Sequence, residues 1–208
     1  MPPATLTPPP AASTAPRPLT MRWTVEQFHH MGSLGWFAGR RPFLLDGVIW
    51  EQGPMNPPHA SAVFLLSKLL ETVFGAGWVV RPQLPLKLDE HNDPLPDVAV
   101  CTGAAEDYFD AHPTSAPLVV EVSDTTLQLD LTIKAERYAA AGVPEYWVLD
   151  LEGQRLFVLR DPQALPEGLG GTAYHDQTTL AATDQVAPLA APTHTLPVSK
   201  MLPKRLAP

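Results

Sequence analysis

The chain predicts a mixed α/β fold (α/β or α+β), a central sheet with helices packed on it, from three observations. Segments of helical and strand periodicity follow one another as helix, strands, helix, strands. Between His59 and Phe74, Ala62, Val63, Leu66, Leu69, Leu70 and Val73 fall on one apolar face, the mark of a helix lying on a core. Leu118 to Asp150 then reads as a buried strand, a polar loop, an amphipathic helix and a second buried strand.

Residues 1 to 20 are Pro, Ala, Thr and Ser with almost no charge, which predicts a flexible, partly polyproline-II tail. Thr24-Val-Glu-Gln27 is a capping box, and Val25, Phe28 and Met31 follow at helical spacing until the glycines from Gly32 to Gly39 break the pattern. Phe43 to Trp50 reads as two short apolar strands around Asp46-Gly47, a two-residue hairpin signal. Gly53 to Pro58 is a stiff loop before the second helix, which Gly75 ends.

Val79 to Leu88 is an interrupted strand, and Pro82 and Pro85 place it at an edge or a bulge. Leu95 to Cys101 is the next strand, entered through Pro96-Asp97. Arg155 to Leu159 pairs as a hairpin with Tyr146 to Leu149, and periodicity weakens from Asp161 onward. One domain over residues 21–203 is expected, with a short tail at 204–208.

Composition narrows the function. Net charge is −8, which excludes a general cationic surface for nucleic acid and requires any such activity to come from a local site. The 25 prolines are roughly twice average usage but sit mainly in the head and the last third, so they describe loops and not a fibre. The single cysteine, Cys101, rules out an internal disulfide and suits a reducing cytoplasm, and its strand context makes it a small core residue. No apolar run approaches the ~20 residues of a membrane span, and no basic-then-apolar leader opens the chain.

Glu121 stands inside an otherwise apolar strand. A carboxylate there is costly unless a cation or a metal compensates it. The following helix offers Lys134, with Asp130 and Tyr138 four residues to either side on the same face. If the strands of Asp97 and Glu121 are neighbours, two carboxylates converge, the oxygen set that Mg²⁺ or Mn²⁺ takes, with Lys134 beside it to act on a water or on phosphate charge. Each residue alone has a plainer reading. Asp97 is a turn or capping acid, Glu121 a salt-bridge partner of Arg137 or Lys134, Lys134 a solvated helix face, and His59 and Asp130 helix-terminus residues. Tyr138, Tyr146 and Trp147 read as core.

Several of these positions together resemble the Uma-two branch of the PD-(D/E)XK restriction-endonuclease-like superfamily. Carrying the resemblance are Asp46-Gly47, His59 opening a helix, Gln83, Pro96-Asp97-Val98, Glu121-Val122-Ser123, Asp130 with Lys134, and Gly142-Val-Pro-Glu-Tyr-Trp147. It spans about residues 22 to 202. It implies a restriction-endonuclease-like core, a mixed central sheet flanked by helices, and divalent-metal-dependent cleavage of DNA. Its metal-binding acids fall on Asp97 and Glu121, with the Val122 carbonyl as a further ligand.

The sequence departs from that pattern twice. The superfamily's usual lysine lies two residues after the acid, where Ser123 stands, so Lys134 takes the role from the next helix. Phe43 replaces the glutamate that commonly precedes the hairpin, leaving His59 as the polar group of the first core helix. Ser123 and Gln83 are expected to orient ligands, and a homodimer is expected to cover edge strands. Two alternatives compete with the nuclease: a catalytically silent scaffold or regulatory partner with the same fold, and a glycosidase using the Asp97–Glu121 pair.

Overall fold

The computed structural model describes residues 20–166 and 171–204. Most of the tail expected over residues 1–20, and residues 205–208 of the expected C-terminal tail, lie outside them. The first helix, α1 (Val25–Ser33), is opened by the capping box: Thr24 accepts from the Gln27 N–H while the Gln27 side chain accepts from the Thr24 N–H. A separate hairpin follows, β1 (Pro42–Leu45) and β2 (Val48–Glu51). Its turn residues Asp46 and Gly47 both have positive φ, 54° and 69°, as a tight two-residue turn requires.

The second helix, α2 (Pro57–Phe74), begins two residues earlier than its apolar face predicts. Asn56 caps it, and Pro57 and Pro58 occupy its first turn, where proline loses no hydrogen bond. The expected stiff loop therefore ends at Asn56.

The main sheet contains β3 (Trp78–Pro82), β4 (Val98–Thr102), β5 (Leu118–Ser123), β6 (Glu145–Asp150), β7 (Arg155–Ala164) and β8 (Thr172–Ala181), hydrogen-bonded in that order. β5 and β6 run parallel; the other neighbouring pairs are antiparallel. The β5–β6 crossover is a helix in three pieces: α3 (Leu127–Leu129), a π-helical turn (Asp130–Lys134) and α4 (Ala135–Ala140). β3 is an edge strand, as its prolines predict. The long β8, beyond Asp161, has no clear signal in the sequence because most of its residues are exposed and polar.

β5 is buried at every position, since helices cover both faces of the sheet. Leu118, Val120 and Val122 pack with Leu66 and Leu70 of α2, whereas Val119 packs with Ala135, Tyr138 and Ala139 of α4. Alternation therefore sends Glu121 to the α4 side. Tyr138, Tyr146, Trp147 and Cys101 are core residues, as expected. Among the described residues, no helix is long and apolar enough to cross a membrane.

The hairpin is tied down from several directions. The Trp23 N–H donates to the Gly47 carbonyl, the Gly47 N–H to the His91 carbonyl, and the Asp46 N–H to Asn92 Oδ1. Arg137 of α4 reaches Asp46 Oδ1 at 2.6 Å.

Two outcomes follow from this packing. A Cβ at Gly47 meets Arg22 Cβ at 2.6 Å in a left-handed backbone conformation, so Gly47→Ala lowers stability by about 2 kcal/mol in denaturant melts. Burial pushes the Cys101 thiol up to about 11, only partly opposed by Arg81. Native protein at mildly alkaline pH therefore resists a thiol-specific reagent, and denatured protein reacts with it.

Candidate active site

The register places the first acid. Val98 pairs with Val120 in the antiparallel β4–β5 ladder, so one step further along the same register sets Asp97 opposite Glu121. The Asp97 N–H points to Glu121 Oε2 at 3.4 Å, and Asp97 Oδ2 accepts from the Val122 N–H at 2.9 Å. The Asp97 side chain thus extends the ladder just before β4 begins. Its other oxygen meets His59 Nε2 at 2.9 Å and accepts from Gln83 Nε2 at 3.3 Å. His59 lies in the first turn of α2, which explains how a helix terminus reaches the end of the sheet.

Glu121 is 1% exposed. Oε1 accepts from the Tyr138 hydroxyl at 2.8 Å, and Oε2 lies 3.1 Å from Lys134 Nζ. Lys134 also pairs with Asp130 Oδ1 at 2.9 Å, while Asp130 Oδ2 accepts from Thr126 Oγ1 at 2.6 Å. The face predicted for Asp130, Lys134 and Tyr138 is the face that meets Glu121. Between Asp130 and Lys134 the helix widens into a π turn, a feature frequent at functional sites.

Charge follows burial and partners. Burial pushes Glu121 up to about 8; Lys134 opposes this, while Asp97 and Asp130 add to it. Burial pulls Lys134 down, but Glu121 and Asp130 outweigh it and hold the amine above its ordinary range. For Asp97, burial is outweighed by His59, the Val122 N–H and Lys134, so its carboxyl lies below the usual range. His59 lies above the ordinary histidine value because Asp97, and then Asp124 and Asp130, overcome the cost of burial.

His59, Asp97, Val122 and Lys134 line a cleft of about 210 Å³ whose other wall is the hairpin. Glu121 sits behind Lys134 and does not line it. The donor set suits a hard divalent cation: Asp97 and the Val122 backbone lie in the cleft wall, with the Glu121 carboxylate directly behind Lys134. Ser123 shares the Glu121 face by alternation, and its buried Oγ has no hydrogen-bond partner.

Of the residues predicted from sequence, Asp97, Glu121, Lys134, His59, Gln83 and Asp130 form one connected network. Two plainer readings are corrected. Asp130 does not cap the helix: it is buried in the π turn and paired with Lys134. Lys134 is not on a solvated face, since its side chain is recessed against Glu121 and Asp130. The salt bridge read for Glu121 is present with Lys134, while Arg137 serves Asp46 and Glu136. Sequence reasoning missed the Tyr138 hydroxyl as a partner of Glu121, although its spacing from Lys134 was visible. It also missed Glu51, Asn56 and Asp124, which reach the cleft from a strand, a helix cap and a loop.

This sheet, with helices on both faces and acids meeting at the β4–β5 end, defines a restriction-endonuclease-like α/β protein. The chain belongs to the Uma2 (Uma-two) family, described as "Putative restriction endonuclease", whose model matches residues 25–199. A crystal structure from Anabaena variabilis, described as "a putative nuclease belonging to DUF820", superposes with a TM-score of 0.61 at 13% identity. The match covers 86% of this chain and 96% of that one, and at this identity it speaks for the fold alone. No curated protein matches the chain.

Lys134→Ala leaves Glu121 and Asp130 buried without their cation, so it destabilises the protein by about 3 kcal/mol. Glu121 titrates above its unfolded value, so protonated Glu121 favours the fold and ionisation weakens it. Wild type therefore weakens as pH rises from the ordinary glutamate range toward about 8. Without Lys134, which opposes the upward push on Glu121, the variant goes on weakening at higher pH. The gap between the two therefore widens above about 8, as read from denaturant melts.

Proposed function

We propose that the protein is a metal-dependent endonuclease that hydrolyses DNA phosphodiester bonds. The observation that carries this reading is the meeting of Asp97, Glu121 and Lys134, with Asp97 and Lys134 lining one cleft and Glu121 directly behind them. Asp97, Glu121 and the Val122 carbonyl are the groups to hold Mg²⁺ or Mn²⁺. Such an ion, when bound, polarises a phosphodiester and makes a bound water more acidic.

The chain's own groups do the rest. His59 and Gln83 fix the Asp97 carboxylate, and Tyr138 fixes Glu121. Lys134 is held as an ammonium by its two carboxylate neighbours, so it serves as a positive charge and hydrogen-bond donor and not as a base. In the reaction a water oxygen bonds to phosphorus and the bond to the leaving oxygen breaks. The attacking water gives up a proton to solvent and the leaving oxygen takes one up from it, while Lys134 offsets the charge gathering on the phosphoryl oxygens.

A second reading has one observation in its favour. Both Glu121 oxygens already have partners, as in a catalytically silent scaffold that no longer needs an ion. Calorimetric titration with Mn²⁺ separates the two: the nuclease binds with heat that Asp97→Asn abolishes, and the scaffold gives none.

With Mn²⁺, the protein is expected to nick supercoiled plasmid or cut single-stranded DNA, and EDTA to stop it. Lys134→Ala, assayed at a temperature where it is folded, cuts about 100-fold more slowly. Equal cleavage by that variant would remove Lys134 from the mechanism.

A further inference from the structure

Opposite the acids, the hairpin presents two aromatic rings to the same cleft. Phe43 and Trp50 are register partners across β1 and β2, so they share one face of the hairpin. Their centroids are 6.4 Å apart, and their planes differ by 18°. Trp50 is 39% exposed, unusual for a tryptophan held in a paired strand.

The charge of the cleft points away from a duplex. Among its lining residues Lys134 is the sole lysine or arginine, and it is already paired with two carboxylates. Glu51, Asp97 and Asp124 also line the cleft; Arg40 is bound to Glu51, and Arg41 reaches Gln83 Oε1, next to Asp97. A duplex is held chiefly by many cations on its phosphates, and this cleft offers almost none. Lys134 and Asp97 are also recessed, with side chains 15% and 4% exposed. Bending a stiff double helix into such a recess costs deformation energy, whereas a single strand turns in freely and can lay a base on an aromatic ring.

We infer that the cleft takes unpaired nucleic acid, with a base stacked on the Phe43–Trp50 platform while the neighbouring phosphate faces Asp97 and Lys134. The inference rests on the nuclease reading for the phosphate, but the platform is tested without cleavage. Stacking on a flat ring tolerates any base, so strand state and not sequence sets the preference.

The test is fluorescence anisotropy with one labelled, mixed-sequence oligodeoxynucleotide, single-stranded or annealed, first in EDTA and then in Ca²⁺. The single strand is expected to bind about tenfold more tightly than the duplex, and Trp50→Ala to weaken single-strand binding about tenfold. Trp50→Phe, which keeps a ring, recovers most of that loss and controls for misfolding of the hairpin. Equal affinity for duplex, or an unchanged Trp50→Ala, overturns the inference. So does a Trp50→Ala effect confined to the oligomeric state by light scattering, which makes the platform a contact between copies of this chain. Mn²⁺ cleavage is scored separately. Strand-selective, Trp50-dependent binding without cleavage keeps the platform and removes the nuclease reading. Duplex cleavage by Trp50→Ala at the wild-type rate keeps the nuclease and removes the platform.

Discussion

A carboxylate buried in the middle strand of a sheet has to be answered, and the answer organises this protein. Glu121 lies on a strand covered on both sides, where an unpaired charge would cost several kcal/mol. The helix that follows supplies both partners, Lys134 to one oxygen and Tyr138 to the other. Neither can reach Glu121 unless the β5–β6 crossover packs on that face. The site and the fold are therefore specified by the same contact.

The surrounding elements hold this arrangement in place. The β4–β5 register brings Asp97 across from Glu121, and the first turn of α2 brings His59 to Asp97. Arg137 ties α4 to the hairpin turn at Asp46, so the helix carrying Lys134 and the opposite wall of the cleft are one connected unit. The π turn aligns Lys134 with Asp130 as well as with Glu121. One ammonium thus serves two acids.

Much of this was legible in the sequence because the signals were local. The capping box, the Asp46-Gly47 turn, the α2 stripe and the lone acid in an apolar run each act over a few residues, and each matches the structure. The Asp130–Lys134–Tyr138 spacing gave the correct face but not the π turn, which has no pattern of its own. Long-range partners were harder. That Arg137 leaves Glu121 for Asp46, or that Glu51 and Asp124 reach the cleft, depends on how distant segments dock. β8 escaped because an exposed strand lacks the apolar alternation that marks a half-buried one.

The central claim is that Asp97 and Glu121 share one cation site with Lys134 at its edge. Anomalous diffraction from a crystal soaked in Mn²⁺ tests it most directly. The account predicts a peak within coordination distance of oxygens from both carboxylates, with Lys134 Nζ moved off Glu121 toward the cleft. No peak there at saturating Mn²⁺, with Lys134 still on Glu121, would contradict it.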